Sequence, residues 1–263
     1  MVLHELIQHL ESIAPPQYQE AYDNSGLITG DPDQAITGVL TCLDAIESVV
    51  DEAIDLGFNV IVAHHPILFK GIKKLTGTNY VERTLLKAVR NHIAIYAIHT
   101  NLDHMYLQGV NSRIAQKLGL EDTRILAPKS PEDPMVGAGM IGRLPIALDE
   151  ITFLDQVKSA MNTPCIRHTN LLQKPVRTVA ICGGSGGFLL DQAIFQQADF
   201  LITADFKYHE FFDANDQIVI ADIGHFESEQ FTIELLQEII TEKFSNFAVR
   251  CTKQITNPVN YYI

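Results

Sequence analysis

The stretch NVIVAHHP, Asn59–Pro66, decides the fold class. It is apolar and β-branched through Val60, Ile61 and Val62, then ends in two adjacent histidines closed by a proline, as a buried strand does where it leaves its sheet. Just before it, AIESVVDEAIDLG (Ala45–Gly57) has apolar residues at helical spacing and a glycine stop, and GVLTCLDA (Gly38–Ala45) is a second buried strand. After it, Tyr80–Asn91 is again helical, and IAIYAIHTNLDH (Ile93–His104) reads as a third strand ending in His99 and Asp103. Strands alternating with helices predict βαβ units and a largely parallel sheet.

Toward the N-terminus, MVLHELIQHLESI reads as an amphipathic helix with no basic region followed by an apolar one, so no signal peptide is expected. Pro15–Gly30 is a run of turn formers and reads as an ordered loop. Downstream, Val110–Leu118 is a helix stopped by Gly119. APKSPEDPMVGAG (Ala127–Gly139), with three prolines and two glycines, is the best place for a domain boundary. Beyond it the alternation resumes: a strand in VGAGMIGRL, a helix over Leu148–Met161, a strand in Val176–Gly187 that enters a glycine-rich turn, then DFLITAD, FKYHEFFDA, IVIAD and the helical FTIELLQEII. The tail carries a final strand. The expected fold is therefore α/β, with two similar halves built on largely parallel sheets. The expected domains are 1–126 with 226–263, and 127–225.

The chain has 263 residues, 46% of them hydrophobic, and a formal charge of −13. That is enough apolar material for a proper core. The acidic balance argues against a nucleic-acid partner, which usually meets a basic face. No apolar run reaches 18 residues, so no membrane span is expected. Cys42, Cys165, Cys182 and Cys251 form no CxxC pair and read as core residues of a cytoplasmic, reducing compartment.

Three strand ends carry residues able to bind metal: His64 with His65, Asp103 with His99 behind it, and His225 with Glu229. Neighbouring side chains on a strand point to opposite faces, but just past its end His64 and His65 could each serve one of two adjacent ions. His225 and Glu229, four apart in GHFESE, share a helix face and could reach one ion. Parallel strands would bring these ends to one edge, predicting a metal site at the strand C-termini between the halves. Imidazole and carboxylate together suit zinc, iron, manganese or nickel, and a carboxylate can bridge two ions about 3.5–4 Å apart. The plainer alternatives are one core and one exposed histidine at HHP, and in GHFESE acids that merely complement a helix dipole. Gly183, Gly184 and Ser185 could offer backbone N–H groups to a phosphate, or could simply allow close packing. Lys207, Tyr208 and His209 are candidates for a substrate clamp or an acid or base.

The motifs DNSGL, AHHP, AIHTNLD, ICGGSGG, TADFKYHEF and DIGHFESE occur in this order between Asp23 and Glu229. Together they resemble the dinuclear metal-centre hexameric proteins, the NGG-interacting-factor-three-like family, some members of which are labelled GTP cyclohydrolase 1 type 2 homologues. The resemblance implies two divalent ions per subunit, with His64 and Asp103 on one, His65 and His225 on the other, and Glu229 bridging. It also implies a ring of six subunits whose metal sites face an internal cavity. The chain looks like the compact form, without the inserted domain of some relatives. The implied activity is metal-dependent hydrolysis of the GTP cyclohydrolase type on a small molecule, a nucleotide being one candidate. There, Glu229 and His209 are the catalytic candidates, and Gly183, Gly184, Ser185, Lys207 and Tyr208 the substrate-binding ones. The alternative is a metal-binding regulatory or scaffold ring without catalysis.

Overall fold

The structure is a computed structural model that describes residues 1–262. The chain divides into two compact units, Met1–Leu102 with Thr232–Pro258, and Asp103–Phe231 with the residues from Val259 on. Both combine helices with a sheet whose central strands are parallel. Among the described residues no helix is long and apolar enough to cross a membrane.

The first unit opens with α1 (Leu3–Ile13), which buries Leu3, Leu6 and Leu10 along one stripe. Then follow β1 (Gly26–Thr29), β2 (Val39–Asp44), α2 (Glu47–Leu56), β3 (Val60–His65), α3 (Tyr80–Arg90), β4 (Ala94–Ala97) and the helical turn α4 (Thr100–Asp103). α2 ends as its glycine predicts: Gly57 takes φ 68°, a left-handed cap at little cost without a Cβ. α3 starts on Asn79, whose side chain accepts from the Glu82 N–H. β4 is shorter than the strand expected over Ile93–His104. The His99 N–H donates to Asn101 Oδ1 and the Thr100 N–H to Asp23 Oδ2, which turns the chain out of the sheet. Asp103 therefore lies on a helical turn and not at a strand end.

The second unit holds α5 (Val110–Leu118), β5 (Glu121–Ser130), β6 (Asp133–Leu148), α6 (Glu150–Ala160), β7 (Arg167–His168), β8 (Val176–Ser185), α7 (Leu190–Phe195), β9 (Phe200–Ala204), β10 (Val219–Asp222) and α8 (His225–Glu229). The chain then returns to the first unit with α9 (Thr232–Lys243) and β11 (Val249–Cys251).

The first sheet runs β1-β4-β3-β2-β11, parallel except for β1 at its edge. The second runs β5-β6-β8-β9-β10-β7, with β8, β9 and β10 parallel and antiparallel strands on both flanks. The proline-rich stretch expected as a boundary is the tip of the β5–β6 hairpin, where Ser130 pairs with Asp133. The first change of unit falls earlier, at Leu102/Asp103, because α5 packs on β8 and β6 and so belongs to the second sheet. The return falls at Phe231/Thr232, because α9 packs on β2 and β11 pairs with it.

Each unit has its own core. Leu40, Val49, Val50, Ile61 and Ile95 centre the first, and Leu126, Ile141, Leu201, Ile218 and Ile220 the second. Cys42 and Cys182 are buried, and all four cysteines are free thiols. Two solid cores leave the C-terminal ends of the parallel strands as the places where polar side chains gather.

Candidate metal centre

In the first unit, the adjacent parallel strands β3 and β4 deliver His64, His65 and His99 to one end of the sheet. The ring centroids lie 4.9 Å apart for His64 and His65, and 5.3 Å for each with His99. One ring nitrogen from each comes within 4.8 Å of the others, close enough to hold one ion. Each ring is aimed by an oxygen. His64 Nδ1 donates to Ile98 O at 2.9 Å, His65 Nδ1 to Asp44 Oδ1 at 2.8 Å, and His99 Nδ1 to Asp23 Oδ1 at 2.8 Å. Such an acceptor fixes the proton on Nδ1 and presents Nε2 as the ligating atom, the usual support behind a metal-binding histidine.

Asp23 and Asp44 are themselves held. The Asp44 Oδ2 atom accepts from Thr256 Oγ1 at 2.6 Å. Asp23 also accepts from the Thr100 N–H and hydroxyl, from Ser25 Oγ and from the Asn24 N–H. Burial would raise the Asp23 pKa, but the hydrogen bonds from His99 and Thr100 and the charge of His99 outweigh it, holding the carboxyl well below its ordinary range.

In the second unit, the ends of β8, β9 and β10 do the equivalent. His225 opens α8 just past β10, and Asp205 follows β9. His225 Nδ1 donates to Asp205 Oδ2 at 2.6 Å, and its Nε2 lies 3.1 Å from Glu229 Oε2. Glu229 is buried, although its sequence reads as the first turn of a surface helix. Burial would lower the His225 pKa. The charge of Glu229 and the hydrogen bonds to Asp205 and Glu229 prevail and push it up to about 11, so the ring is an imidazolium without metal. Asp205 is lowered in return, chiefly by its hydrogen bond to His225.

The end of β8 explains its glycines. Gly184 has φ +62°, and a Cβ there would run into Glu229 Oε1; one on Gly183 would crowd Val110 Cγ1 at 2.8 Å and Glu229 Cγ at 3.3 Å. The two N–H groups read as available either to a phosphate or to close packing are used internally, Gly183 to Asn111 Oδ1 at 3.0 Å and Gly184 to Ser228 Oγ at 2.9 Å. Close backbone approach, not an anion cradle, is what these glycines provide. Asn111 also donates to Asp103 O at 3.1 Å, which ties Asp103 to the same strand end. Cys182, next to this point, has its thiol pKa raised by burial and by the charges of Asp103 and Glu229.

Lys207, Tyr208 and His209 lie on the turn after β9. Lys207 Nζ pairs with Glu210 Oε1 at 3.1 Å, while the Tyr208 ring stands edge-on to His209 at 5.1 Å and to Phe212 at 5.7 Å. All three are exposed.

The donor chemistry fits a divalent metal. The first unit offers three imidazoles, each held at Nδ1 by an oxygen, and the second sets the His225 imidazole beside the buried Glu229 carboxylate; nitrogen and oxygen donors of these kinds suit a borderline ion. His99 was legible as a metal-capable residue, whereas Asp23, Asp44 and Asp205, the residues that aim the rings, were not legible as such in the sequence. A signal existed only for Asp23, which follows Tyr22 among the turn formers.

The sequence model of the family described as Duf34/NIF3 (NGG1p interacting factor 3) matches residues 1–258. A Clostridium perfringens protein named GTP cyclohydrolase 1 type 2 homolog is 31% identical over 263 residues, covering 99% of this chain and 100% of that one. A Bacillus cereus protein related to NIF3 has a similar structure, with a TM-score of 0.94 at 26% identity over 100% of this chain and 99% of that one. A hypothetical protein of Staphylococcus aureus matches at 0.93 and 30% identity over the same shares.

Proposed function

The chain belongs to the Duf34/NIF3 family, and from that premise we propose that it is a cytoplasmic dinuclear metal-dependent hydrolase of small molecules, with a nucleotide as the candidate substrate. In this reading His64 and Asp103 would hold one divalent ion and His65 and His225 the other, with Glu229 as a ligand shared by both. The observation that supports it is the aiming of the rings: in His64, His65 and His225 alike, Nδ1 is held by an oxygen acceptor, which makes Nε2 the nitrogen that would ligate. The metal is zinc, iron, manganese or nickel, as the mixed donors suit.

Two ions so held would supply Lewis-acid polarisation of the scissile bond and a more acidic attacking water. The chain's own residues do the rest. Asp44 and Asp205 keep the imidazole rings in the ligating orientation. Glu229, buried, offsets the repulsion between two cations. His209, an exposed imidazole after β9, carries the proton between substrate and solvent, and Lys207 and Tyr208 position the substrate from the same turn.

The name borne by the Clostridium perfringens relative makes GTP the first substrate to try. The subunits are proposed to close into a homohexamer. Metal-loaded protein should turn over GTP, or a member of a phosphoester and amide panel, and Glu229→Gln should abolish that turnover. No turnover of any of these, with apo and loaded forms alike, would favour a regulatory or scaffold ring instead.

A further inference from the structure

Between Asp55 and Glu82 the chain carries no acidic residue, yet it places Lys70, Lys73 and Lys74 within five positions, in a protein of formal charge −13. The loop that carries them is pinned at both ends. At its start, Leu68 O accepts from Asn24 Nδ2 at 2.7 Å, and the Phe69 ring stands edge-on to His99 with centroids 5.8 Å apart. At its end, the Glu82 carboxylate accepts from the N–H and hydroxyl groups of Thr76 and Thr78 and from Asn79 Nδ2. The exposed span between the pins walls a hollow of about 540 Å³, lined by Ile67–Lys74 and Asn79–Glu82.

Among the described residues none of the three lysines has an acidic partner. Three like charges so close repel one another, which favours binding of an anion among them. The loop is continuous with the strand end that carries His64 and His65, and through Phe69 it touches the third ring of that cluster. An anion held by the lysines would therefore sit beside the histidines. Lysine suits this task where the anion is mobile and multiply charged, since it acts as a flexible point charge and imposes no bidentate geometry.

We propose that the loop Lys70–Lys74 is the phosphate-binding element of the substrate site, so that the molecule meeting the histidine cluster carries an oligophosphate group gripped by Lys70, Lys73 and Lys74. This rests on the reading of the cluster as part of a metal centre, and it assigns the charged end of the substrate. It also gives the phosphate a binding element that the internally bonded N–H groups of Gly183 and Gly184 do not provide.

The test is calorimetric titration of inorganic tripolyphosphate into the full chain, with bound metal counted in every sample. The wild type should bind it with an affinity that falls as salt rises. The triple variant K70Q/K73Q/K74Q should bind on the order of tenfold more weakly or worse, and K70R/K73R/K74R should stay within about threefold of wild type, because charge is what matters. Metal content should be the same in all three. Absence of binding to the wild type, equal binding by the glutamine variant, or equal loss in the arginine and glutamine variants would each overturn the assignment. So would tighter lysine-dependent binding of a short oligonucleotide than of tripolyphosphate. A wild type that takes up no metal defeats the metal-centre reading by that count alone, while the lysine dependence still decides the loop.

Discussion

His225 stands between Asp205 and Glu229, and in the absence of metal those two carboxylates together keep it protonated. A metal must displace that proton, so uptake near pH 7 should release about one proton per ion bound at His225. Calorimetry in buffers of different ionisation enthalpy measures this, and uptake without proton release would contradict the assignment of His225 as a ligand. The same shift has a stability consequence. A folded pKa of about 11 against 6.5 when unfolded makes the protonated state stabilising. Its contribution is full below about pH 6.5 and is lost as pH rises through about 11. Chelator-treated wild type should therefore lose more stability between pH 7 and 11 than His225→Gln, as read from denaturant midpoints. Asp23 makes a second case. Asp23→Asn removes the charge that aims His99 and should cost about 1–3 kcal/mol by chemical denaturation. The histidines and Glu229 were legible because their spacing is local. Asp23, Asp44 and Asp205 reach their histidines across 76, 21 and 20 positions, and only the folded sheet brings them there.

At the scale of elements, the end of β8 and the start of α3 are the most demanding. Gly184→Ala has to relieve a left-handed φ and a collision with Glu229 at once. It should cost about 1–3 kcal/mol in stability and also lower bound metal, whereas Gly57→Ala at a helix cap open to solvent should leave metal content unchanged. Parallel metal counts on the two variants separate strain from site damage; equal metal loss in both would remove the special role of Gly184. Glu82 shows how a cap can order a loop. The N–H groups of Thr78 and Thr76, then their hydroxyls, lower its pKa to about 2, so the clasp stays ionised over the working pH range. β2, α2, β3 and α3 were legible because apolar periodicity and a glycine or asparagine signal agree. β5 was not: its exposure follows no strict alternation and it contains Pro128, so hairpin pairing with β6, not local preference, makes it a strand. α4 was hidden for a related reason, since backbone N–H groups of His99 and Thr100 donate to the side chains of Asn101 and Asp23 and end the preceding strand.

For the whole chain, two α/β units whose sheets are parallel at their centres follow from the alternation read around Asn59–Pro66, while the antiparallel flanks of the second sheet do not. The positions where the chain changes unit do not, because α5 and α9 join their sheets by packing that composition does not reveal. The proposed hexamer predicts a native mass of six chains by light scattering, and a monomer at working concentration would contradict the ring. Each chain is proposed to bind two divalent ions that share Glu229. The most direct measurement is the number of metal ions per chain in protein purified without chelators, for wild type and for His65→Ala, His225→Ala and Glu229→Ala in parallel. Two ions are expected in the wild type, loss chiefly of one in each histidine variant, and loss of both in the glutamate variant. A wild type with no metal after reconstitution, equal loss of both ions in all three variants, or full occupancy in His65→Ala would contradict it.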